Sequence, residues 1–240
     1  SIDGEGHKTS MSYDIEGQLK QVMQPGGAVT KFAYGKVTSD GTSRVTTTDA
    51  GGNKSDVVTD ARGLETSITD YAGGTTAGIQ RTYEYDWEGN VTKEKELEGN
   101  YKTFTYDSKG RNTVVKYHKA DGTETLKTAY TYDVNDQVTL MEDYEKKNGS
   151  WELYRSTKYT YDALKRMSSY TEWDGEGAAP AEPTVSYTYD IEGNVTAVDY
   201  AGTGSELTGL TFEYDSSRKL TKIKAKTGGL LSDTVREYSY

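Results

Sequence analysis

The segment Tyr187-Thr188-Tyr189-Asp190-Ile191-Glu192-Gly193-Asn194-Val195-Thr196 contains the pattern that decides the fold of this chain. Tyr187 and Tyr189 are separated by one residue, and a period of two places both rings on one face of a β-strand. Asp190 suits the first position of a type I turn, where its carboxylate can accept backbone N–H bonds, and Gly193 suits the left-handed position that follows. The segment therefore predicts a strand, a bulged hairpin turn and a returning strand.

The same pattern recurs along the chain, and self-similarity of this kind is the signature of a repeat protein. From Tyr85 onward the Tyr-Asp pairs are spaced by 21 to 29 residues, and Tyr240 follows 26 residues after Tyr214. This spacing predicts a single array over residues 1–240, a fragment of a longer array, with degenerate repeats within 36–74. The residues of the repeat motif are Tyr13, Asp14, Gly17, Tyr85, Asp86, Gly89, Tyr106, Asp107, Gly110, Tyr132, Asp133, Tyr161, Asp162, Tyr189, Asp190, Gly193, Tyr214 and Asp215.

Two local departures from the motif predict details of the backbone. Asp136, Lys165 and Arg218 replace the glycine in three units, and Lys165 and Arg218 are expected to be mildly strained because a β-carbon disfavours positive φ. The outgoing strand starts with an apolar residue and carries a second one three positions later, as in Val195 and Val198. A spacing of three breaks strict alternation and indicates a β-bulge or a strong twist.

The turn pattern also predicts how the strands connect. Within 36–74 the tyrosine is lost but the turn is retained at residues 49–52, 60–63 and 70–73, and separations of 11 and 10 residues equal one strand plus one turn. The turns should therefore fall on alternate edges of a continuous antiparallel strip. Longer polar connections are expected from Tyr144 to Trp151 and from Trp173 to Pro183.

The expected fold class is all-β, with continuous antiparallel β-hairpin repeats that form a curved or spiralling sheet. About one strand per 12 residues gives roughly 16 to 20 strands, and open sheets of more than about ten strands curl because their twist accumulates. Unpaired strand edges at the two ends of the array are templates for another copy, which predicts self-association through exposed sheet edges.

Composition supports a folded chain and excludes several classes of function. The 21 tyrosines can build a core, and a net charge of −10 over 240 residues is too dilute to expand the chain. With no cysteine there are no disulfides or thiolate ligands, and His7 and His118 are expected to be solvated side chains. The acidic balance argues against nucleic acid as a partner, and the lack of an apolar run near 18 residues argues against membrane insertion.

The repeated aspartates do not predict an enzyme. A glycosidase needs two carboxylates that converge some 5 to 10 Å apart across one bond, whereas each aspartate here is engaged by its own turn. Calcium needs several oxygen ligands in one short loop, and Asp-x-x-Gly supplies one, so a scattered surface calcium is left open. We expect no catalytic residue, cofactor or metal site. The three tryptophans lie in a turn or beside long connections and are candidate ligand contacts: Trp87, Trp151 and Trp173.

The motif resembles the YD-repeat family, also called RHS repeats, of bacterial wall-associated and polymorphic toxins, insecticidal toxin complexes and teneurins. Segments 187–196 and 59–64 are similar to its consensus, and the resemblance covers essentially the whole chain. It implies a long antiparallel sheet that spirals into a shell, which in toxins encloses a C-terminal effector. Those toxins also carry a self-cleaving core with Asp-Pro elements, but no aspartate precedes Pro25, Pro180 or Pro183, so neither that core nor the effector is expected in this segment.

Two functions follow from the sequence and the resemblance. The first is a non-enzymatic structural scaffold, a shell segment of a large secreted or cell-surface bacterial protein that encloses or displays another domain. Its partners would be the rest of the parent polypeptide and an enclosed C-terminal effector. The alternative is a carbohydrate- or partner-binding surface module that uses exposed aromatic side chains on its connections, with a glycan as the ligand.

Overall fold

The computed structural model describes residues 2, 7–35, 37–73, 77–201, 207–227 and 230–239. Within these residues all regular structure is β, with nineteen strands and no helix, which confirms the predicted fold class and strand number. Tyr240, used above to extend the repeat spacing, lies outside the described residues. The strands are β1 (Ser10–Tyr13), β2 (Leu19–Met23), β3 (Val29–Tyr34), β4 (Ser43–Thr48), β5 (Lys54–Thr59), β6 (Glu65–Tyr71), β7 (Ile79–Tyr85), β8 (Val91–Lys95), β9 (Tyr101–Tyr106), β10 (Asn112–His118), β11 (Glu124–Tyr132), β12 (Val138–Lys147), β13 (Ser150–Tyr161), β14 (Met167–Asp174), β15 (Val185–Tyr189), β16 (Val195–Tyr200), β17 (Leu207–Tyr214), β18 (Leu220–Thr227) and β19 (Leu230–Glu237).

The chain divides into two compact units, Ser1–Thr105 with Val115–Thr125 and Tyr106–Val114 with Leu126–Tyr240. In the first unit, β1 to β9 pair one after another in sequence order, and every pairing is antiparallel. In the second unit, β11 to β19 pair in the same manner. The run of antiparallel hairpins that the repeat predicts is therefore present within each unit.

Register in the second unit confirms one aromatic and one polar face. Cross-strand partners share a face, and the pairs Tyr130 with Met141, Tyr159 with Tyr170 and Phe212 with Ile223 belong to the aromatic one. The alternating positions between them form the polar face. These include Thr131, Lys158, Thr160, Ser169, Thr188, Glu213, Lys222 and Lys224.

The expectation of a tyrosine core needs correction. Among the described residues, the buried apolar side chains are Val185 and Ala225, and the tyrosines of the strands are half-buried or exposed. A run of sheet covers its own aromatic face only by contacts between neighbouring side chains, so the rings pack laterally and keep one side accessible. Stability is consequently spread along the strand pairs and the turns rather than concentrated in one core.

The connection expected from Tyr144 to Trp151 is also corrected. Strands β12 and β13 continue through this region and are joined by a two-residue turn at Asn148 and Gly149, which have φ values of 49° and 85°. Positive φ at both central positions is the geometry that Asn-Gly adopts in tight hairpins. The polar residues around this turn are therefore the end of a long hairpin. The expected connection after Trp173 does begin at the end of β14, which finishes at Asp174.

The turn predicted at residues 70–73 does not begin at Asp70. Asp70 and Tyr71 belong to β6, where Asp70 pairs with Ser55 and Ile79, so the reversal does not begin at Asp70. The alternating Thr-Ser-Ile-Thr pattern that precedes Asp70 carries the strand through this position. The turns at 49–52 and 60–63 are present as predicted.

Candidate functional site at the Tyr-Asp turns

Each Tyr-Asp turn is organised by the aspartate that starts it. In the turn at Asp162, the backbone N–H of Leu164 and that of Arg166 both donate to Oδ1, at 2.8 and 2.9 Å. The backbone closes the same turn through the Asp162 N–H donating to the Arg166 carbonyl and the Lys165 N–H donating to the Asp162 carbonyl. Equivalent Oδ1 bonds form at Asp14, Asp60, Asp86, Asp107, Asp133, Asp190 and Asp215.

Hydrogen bonds from local donors lower the pKa of the carboxyl group in several of these turns. At Asp190 the side-chain amide of Asn194 donates to Oδ2 at 2.8 Å, and this bond, with the backbone donors of the turn, holds the pKa of the carboxyl below its ordinary value. At Asp107 the Arg111 guanidinium has the same effect on the pKa. The carboxylates are thus charged and occupied by their own turns at neutral pH.

Both predicted backbone details are confirmed. Asp136, Lys165 and Arg218 have φ values of 66°, 64° and 63°, the left-handed conformation that glycine holds in the other turns. The pairing of Tyr189 with Val195 and of Thr188 with Ala197 leaves one extra residue on the outgoing strand, which is the bulge. At three such bulges the extra threonine donates its hydroxyl to the carbonyl across the strand pair: Thr66 to Val58, Thr139 to Thr131 and Thr221 to Glu213.

The motif tyrosine makes a contact that sequence reasoning did not anticipate. The Tyr189 hydroxyl donates to the backbone carbonyl of Met167 in the preceding hairpin at 2.7 Å. The last backbone pair between those two strands is Ser169 with Ser186, so the hydroxyl bonds a carbonyl at the point where the pairing between hairpins has ended. The same contact joins Tyr34 to Leu19, Tyr85 to Glu65, Tyr132 to Asn112, Tyr161 to Val138 and Tyr214 to Val195.

Burial supports this donor role. It raises the pKa of the Tyr189 hydroxyl, and it likewise raises the pKa of Tyr85, Tyr132, Tyr161 and Tyr214. A raised pKa keeps the phenol neutral, and a neutral phenol has the proton that the carbonyl accepts. The tyrosine therefore serves both as a packing ring and as a hydrogen-bond link between successive hairpins.

Arginines form a second link between neighbouring turns. Arg166 donates from Nε to Asp162 Oδ2 in its own turn at 2.7 Å and from Nη1 to the Asp190 carbonyl of the next turn at 3.1 Å. Its guanidinium also lies 4.4 Å from the centre of the Tyr189 ring. The same two-turn contact is made by Arg62 to Asp86 and by Arg111 to Asp133.

The Tyr-Asp turns alternate in chemistry along each unit. Turns with a large apolar second residue also carry an acidic residue, as in Trp87-Glu88 and Ile191-Glu192 and, one position later, Val134 with Asp136. Turns with a small second residue carry Arg or Lys. In every arginine contact above, the cationic turn reaches the apolar-acidic turn that follows it. Two grooves lie between an apolar-acidic turn and the turn that follows it. One, of about 390 Å³, lies between the turns at Asp133 and Asp162, and the other, of about 370 Å³, between those at Asp190 and Asp215.

The three tryptophans do not form one site. Trp87 lies in a Tyr-Asp turn of the first unit and is 86% exposed. Trp151 lies in β13, not in a connection, and its half-buried ring faces the ammonium groups of Lys127 and Lys146 at 5.4 and 4.4 Å. Trp173 is half-buried in β14 and pairs with Ser156. Trp87 therefore offers the most accessible ring of the three.

His118 corrects another expectation. Its imidazole stacks on the ring of Tyr101 at 4.3 Å between centroids, and its Nε2 is 3.0 Å from the Thr103 hydroxyl. The side chain is half-buried between strands rather than solvated. In the part of the chain that the structure describes, no group of three His, Cys, Asp or Glu side chains is placed to hold a metal ion. Nor does this part contain a helix long and apolar enough to cross a membrane.

No protein-family model matches the sequence. No curated protein is similar to it. The Tc holotoxin pore of Photorhabdus luminescens, in a mutant form, is a similar solved structure, with 14% identity and a TM-score of 0.44 over 97% of this chain and 15% of that chain. The TcdB2-TccC3 crystal structure has 16% identity and a TM-score of 0.43 over 96% and 16% of the two chains.

A porin-like protein from Bacteroides uniformis has 13% identity and a TM-score of 0.22 over 94% of this chain and 86% of that chain. This chain spans about 15% of the length of the Tc holotoxin chain. The fold assignment rests on the strand pairing within each unit and not on these similarities. That pairing agrees with the antiparallel hairpin sheet that the resemblance to YD repeats implies.

Proposed function

We propose that this chain is a structural scaffold, a segment of a β-sheet shell in a large secreted or cell-surface bacterial protein of the polymorphic-toxin kind. In this role it encloses or displays another domain of the same polypeptide, such as a C-terminal effector. The scaffold is not an enzyme, and its partner is the rest of the parent chain.

The observation that carries this proposal is that the motif residues bond their own turn and the neighbouring hairpin. The aspartate bonds its own turn, and the tyrosine hydroxyl bonds the preceding hairpin in five Tyr-Asp units among the described residues. Three arginines link consecutive turns in addition. In these repeats the polar atoms of the motif are thus used to hold successive hairpins together, which is what a continuous sheet in a shell requires.

Limited proteolysis of the intact parent polypeptide tests enclosure. The C-terminal domain should resist a protease that cuts the same domain when it is expressed alone. Changing Tyr161, Tyr189 and Tyr214 together to Phe should remove that protection, because three links between hairpins are lost. Equal cutting of the free and the attached domain would contradict enclosure.

One observation favours the alternative, a carbohydrate-binding module. The Trp87 ring is almost fully accessible in its turn, and accessible aromatic rings stack on sugar rings. A glycan array with the wild-type chain and with Trp87→Ala, Trp151→Ala and Trp173→Ala separates the two functions. Binding that depends on one of these rings would establish the alternative, whereas the scaffold predicts no glycan binding by any of the four proteins.

A further inference from the structure

The polar face of the second unit is interrupted by aromatic side chains near the Asn148-Gly149 turn. Lys127 pairs with Tyr144, and Lys146 pairs with Trp151, so these four side chains share one face. This region belongs to the two longest strands of the unit, β12 and β13, of 10 and 12 residues. The strand pairing therefore fixes the two rings on the same face as the polar residues Thr131 and Lys158, with Leu153 opposite Tyr144.

One ammonium group lies over both rings, and a second lies over Trp151, where the Lys146 Nζ is 4.4 Å from the ring centre. The Lys127 Nζ lies 3.5 Å from the centre of the Tyr144 ring and 5.4 Å from that of Trp151. Both distances are within the roughly 6 Å over which a ring face attracts a cation. This arrangement differs from the arginine contacts at the turns, where each guanidinium faces one ring and also bonds a neighbouring carbonyl.

Two carboxylates, those of Glu142 and Glu176, act on the Tyr144 side chain. Burial raises the pKa of Tyr144, and Glu142 raises it further both through its charge and by accepting a hydrogen bond from the phenol, with the charge of Glu176 adding to the effect. A carboxylate near the ring increases the attraction for a cation held over it. The site therefore combines two aromatic faces with two acidic groups, Glu142 and Glu176, and with the ammonium groups of Lys127 and Lys146.

We propose that Tyr144 and Trp151 form an aromatic cage for a small quaternary ammonium ion, and that the Lys127 ammonium occupies this cage in the free protein. The proposal is independent of enclosure, because it concerns a surface of the sheet and not what the sheet surrounds. The Tyr144 ring is carried by backbone that is paired on both sides, with Lys127 and with Leu153, and the Trp151 ring by backbone that is paired with Lys146 in the β12–β13 hairpin. A Lys ammonium is compact and strongly hydrated, whereas a quaternary ammonium has no N–H group to desolvate, and it gains more from two rings.

The test is a titration of the 15N-labelled protein with choline chloride, with potassium chloride at matched ionic strength as the salt control. The indole N–H signals, assigned with single Trp→Phe variants, report on each tryptophan separately. Choline should shift the Trp151 signal saturably and leave that of Trp87 unchanged. The neutral isostere 3,3-dimethylbutan-1-ol should not produce the shift, because the attraction depends on charge.

Variants of the cage give the decisive comparison. Lys127→Met retains the apolar stem but removes the ammonium group over Tyr144, while Lys146 still lies over Trp151. It should tighten choline binding by about three- to tenfold, whereas Lys127→Arg should leave the affinity near that of the wild type. Trp151→Leu should weaken binding at least about tenfold. Sedimentation with phosphatidylcholine vesicles, against phosphatidylglycerol vesicles as a control, distinguishes a lipid headgroup from a free ligand. The proposal is overturned if neither the wild type nor Lys127→Met shows the Trp151 shift, if the isostere binds equally well, or if Lys127→Met leaves the affinity unchanged.

Discussion

The carboxylate of Asp190 is engaged on both oxygens by groups of its own turn. Oδ1 accepts the backbone N–H of Asn194, and Oδ2 accepts its side-chain amide, each at 2.8 Å. Because the chain already satisfies both oxygens, this aspartate has a structural explanation that needs no ligand. The same holds at Asp49 and Asp86, where Asn53 and Asn90 supply both donors.

Asp190→Ala should lower the free energy of unfolding by about 0.5 to 2 kcal/mol, by analogy with the loss of a side-chain cap on backbone N–H groups. Glu192→Ala is the matched control, since Glu192 is exposed in the same turn, and it should leave stability nearly unchanged. Urea denaturation of both variants measures the difference. An unchanged stability in Asp190→Ala together with loss of a binding or hydrolytic activity would favour a functional aspartate instead.

The pKa of the turn carboxyls gives this effect a pH dependence. The folded state holds the pKa of Asp190, Asp107 and Asp162 below the unfolded value, so their stabilisation is complete at neutral pH. It should be lost as the pH falls below about 4. The urea midpoint should therefore decrease over this range, and the decrease should be smaller in Asp190→Ala.

Arg218 offers a test of backbone strain. It is exposed and adopts a φ of 63°, a conformation that a β-carbon disfavours. Arg218→Gly should raise stability by up to about 1 kcal/mol, because the relief of strain exceeds the added entropy of the unfolded glycine. Gly193→Ala is the converse substitution, because it adds a β-carbon at a residue with a φ of 93°. The nearest atom to that β-carbon is Arg166 Nη1, at 3.9 Å, so the substitution introduces backbone strain without a steric clash. A destabilising Arg218→Gly would show that the side chain matters more than the strain.

At the scale of the element, one hairpin is largely predictable from its own residues. Alternating aromatics, the Asp turn and the apolar pair three residues apart are local signals, and they correctly predicted strands, turns and the bulge at Thr196. The Asn148-Gly149 turn could also have been predicted, because Asn-Gly is the strongest short hairpin signal. The polar residues around it were instead interpreted as a connection.

Contacts between hairpins were not predictable in the same way. The Tyr189 hydroxyl bonds a backbone carbonyl 22 residues earlier, and a carbonyl has no residue-type signal in a sequence. Nor does the sequence reveal that the Lys127 ammonium lies over Tyr144, because strand register brings them together. An arginine signal does exist: Arg111 and Arg166 both occupy the fourth position after a turn aspartate.

Arg166→Ala tests the arginine link between two hairpins. It removes the bonds to Asp162 and to the Asp190 carbonyl as well as the contact with the Tyr189 ring, and should cost about 1 to 2 kcal/mol. Arg218→Ala is the control on an exposed turn arginine and should cost little. Thermal and urea unfolding of both variants provide the comparison. Equal effects would mean that the contacts of Arg166 with the next turn contribute nothing.

At the scale of the whole chain, the account depends on hairpins that support one another. In the second unit four motif tyrosines, Tyr132, Tyr161, Tyr189 and Tyr214, each bond the hairpin before them, so a local change should alter the stability of the neighbouring hairpin. Stability in repeat proteins is the sum of such neighbour terms. A set of independent hairpins would instead confine every change to the hairpin that carries it.

Native-state hydrogen exchange in Tyr189→Phe measures this coupling directly. The substitution keeps the ring and removes only the bond to the Met167 carbonyl, worth about 0.5 to 1.5 kcal/mol. The backbone amides of Arg166 and Lys165, in the preceding turn, should exchange faster than in the wild type. Tyr187→Phe, two residues earlier on the same strand, should leave them unchanged. Faster exchange confined to the hairpin of β15 and β16, with the preceding turn unaffected, would contradict the account.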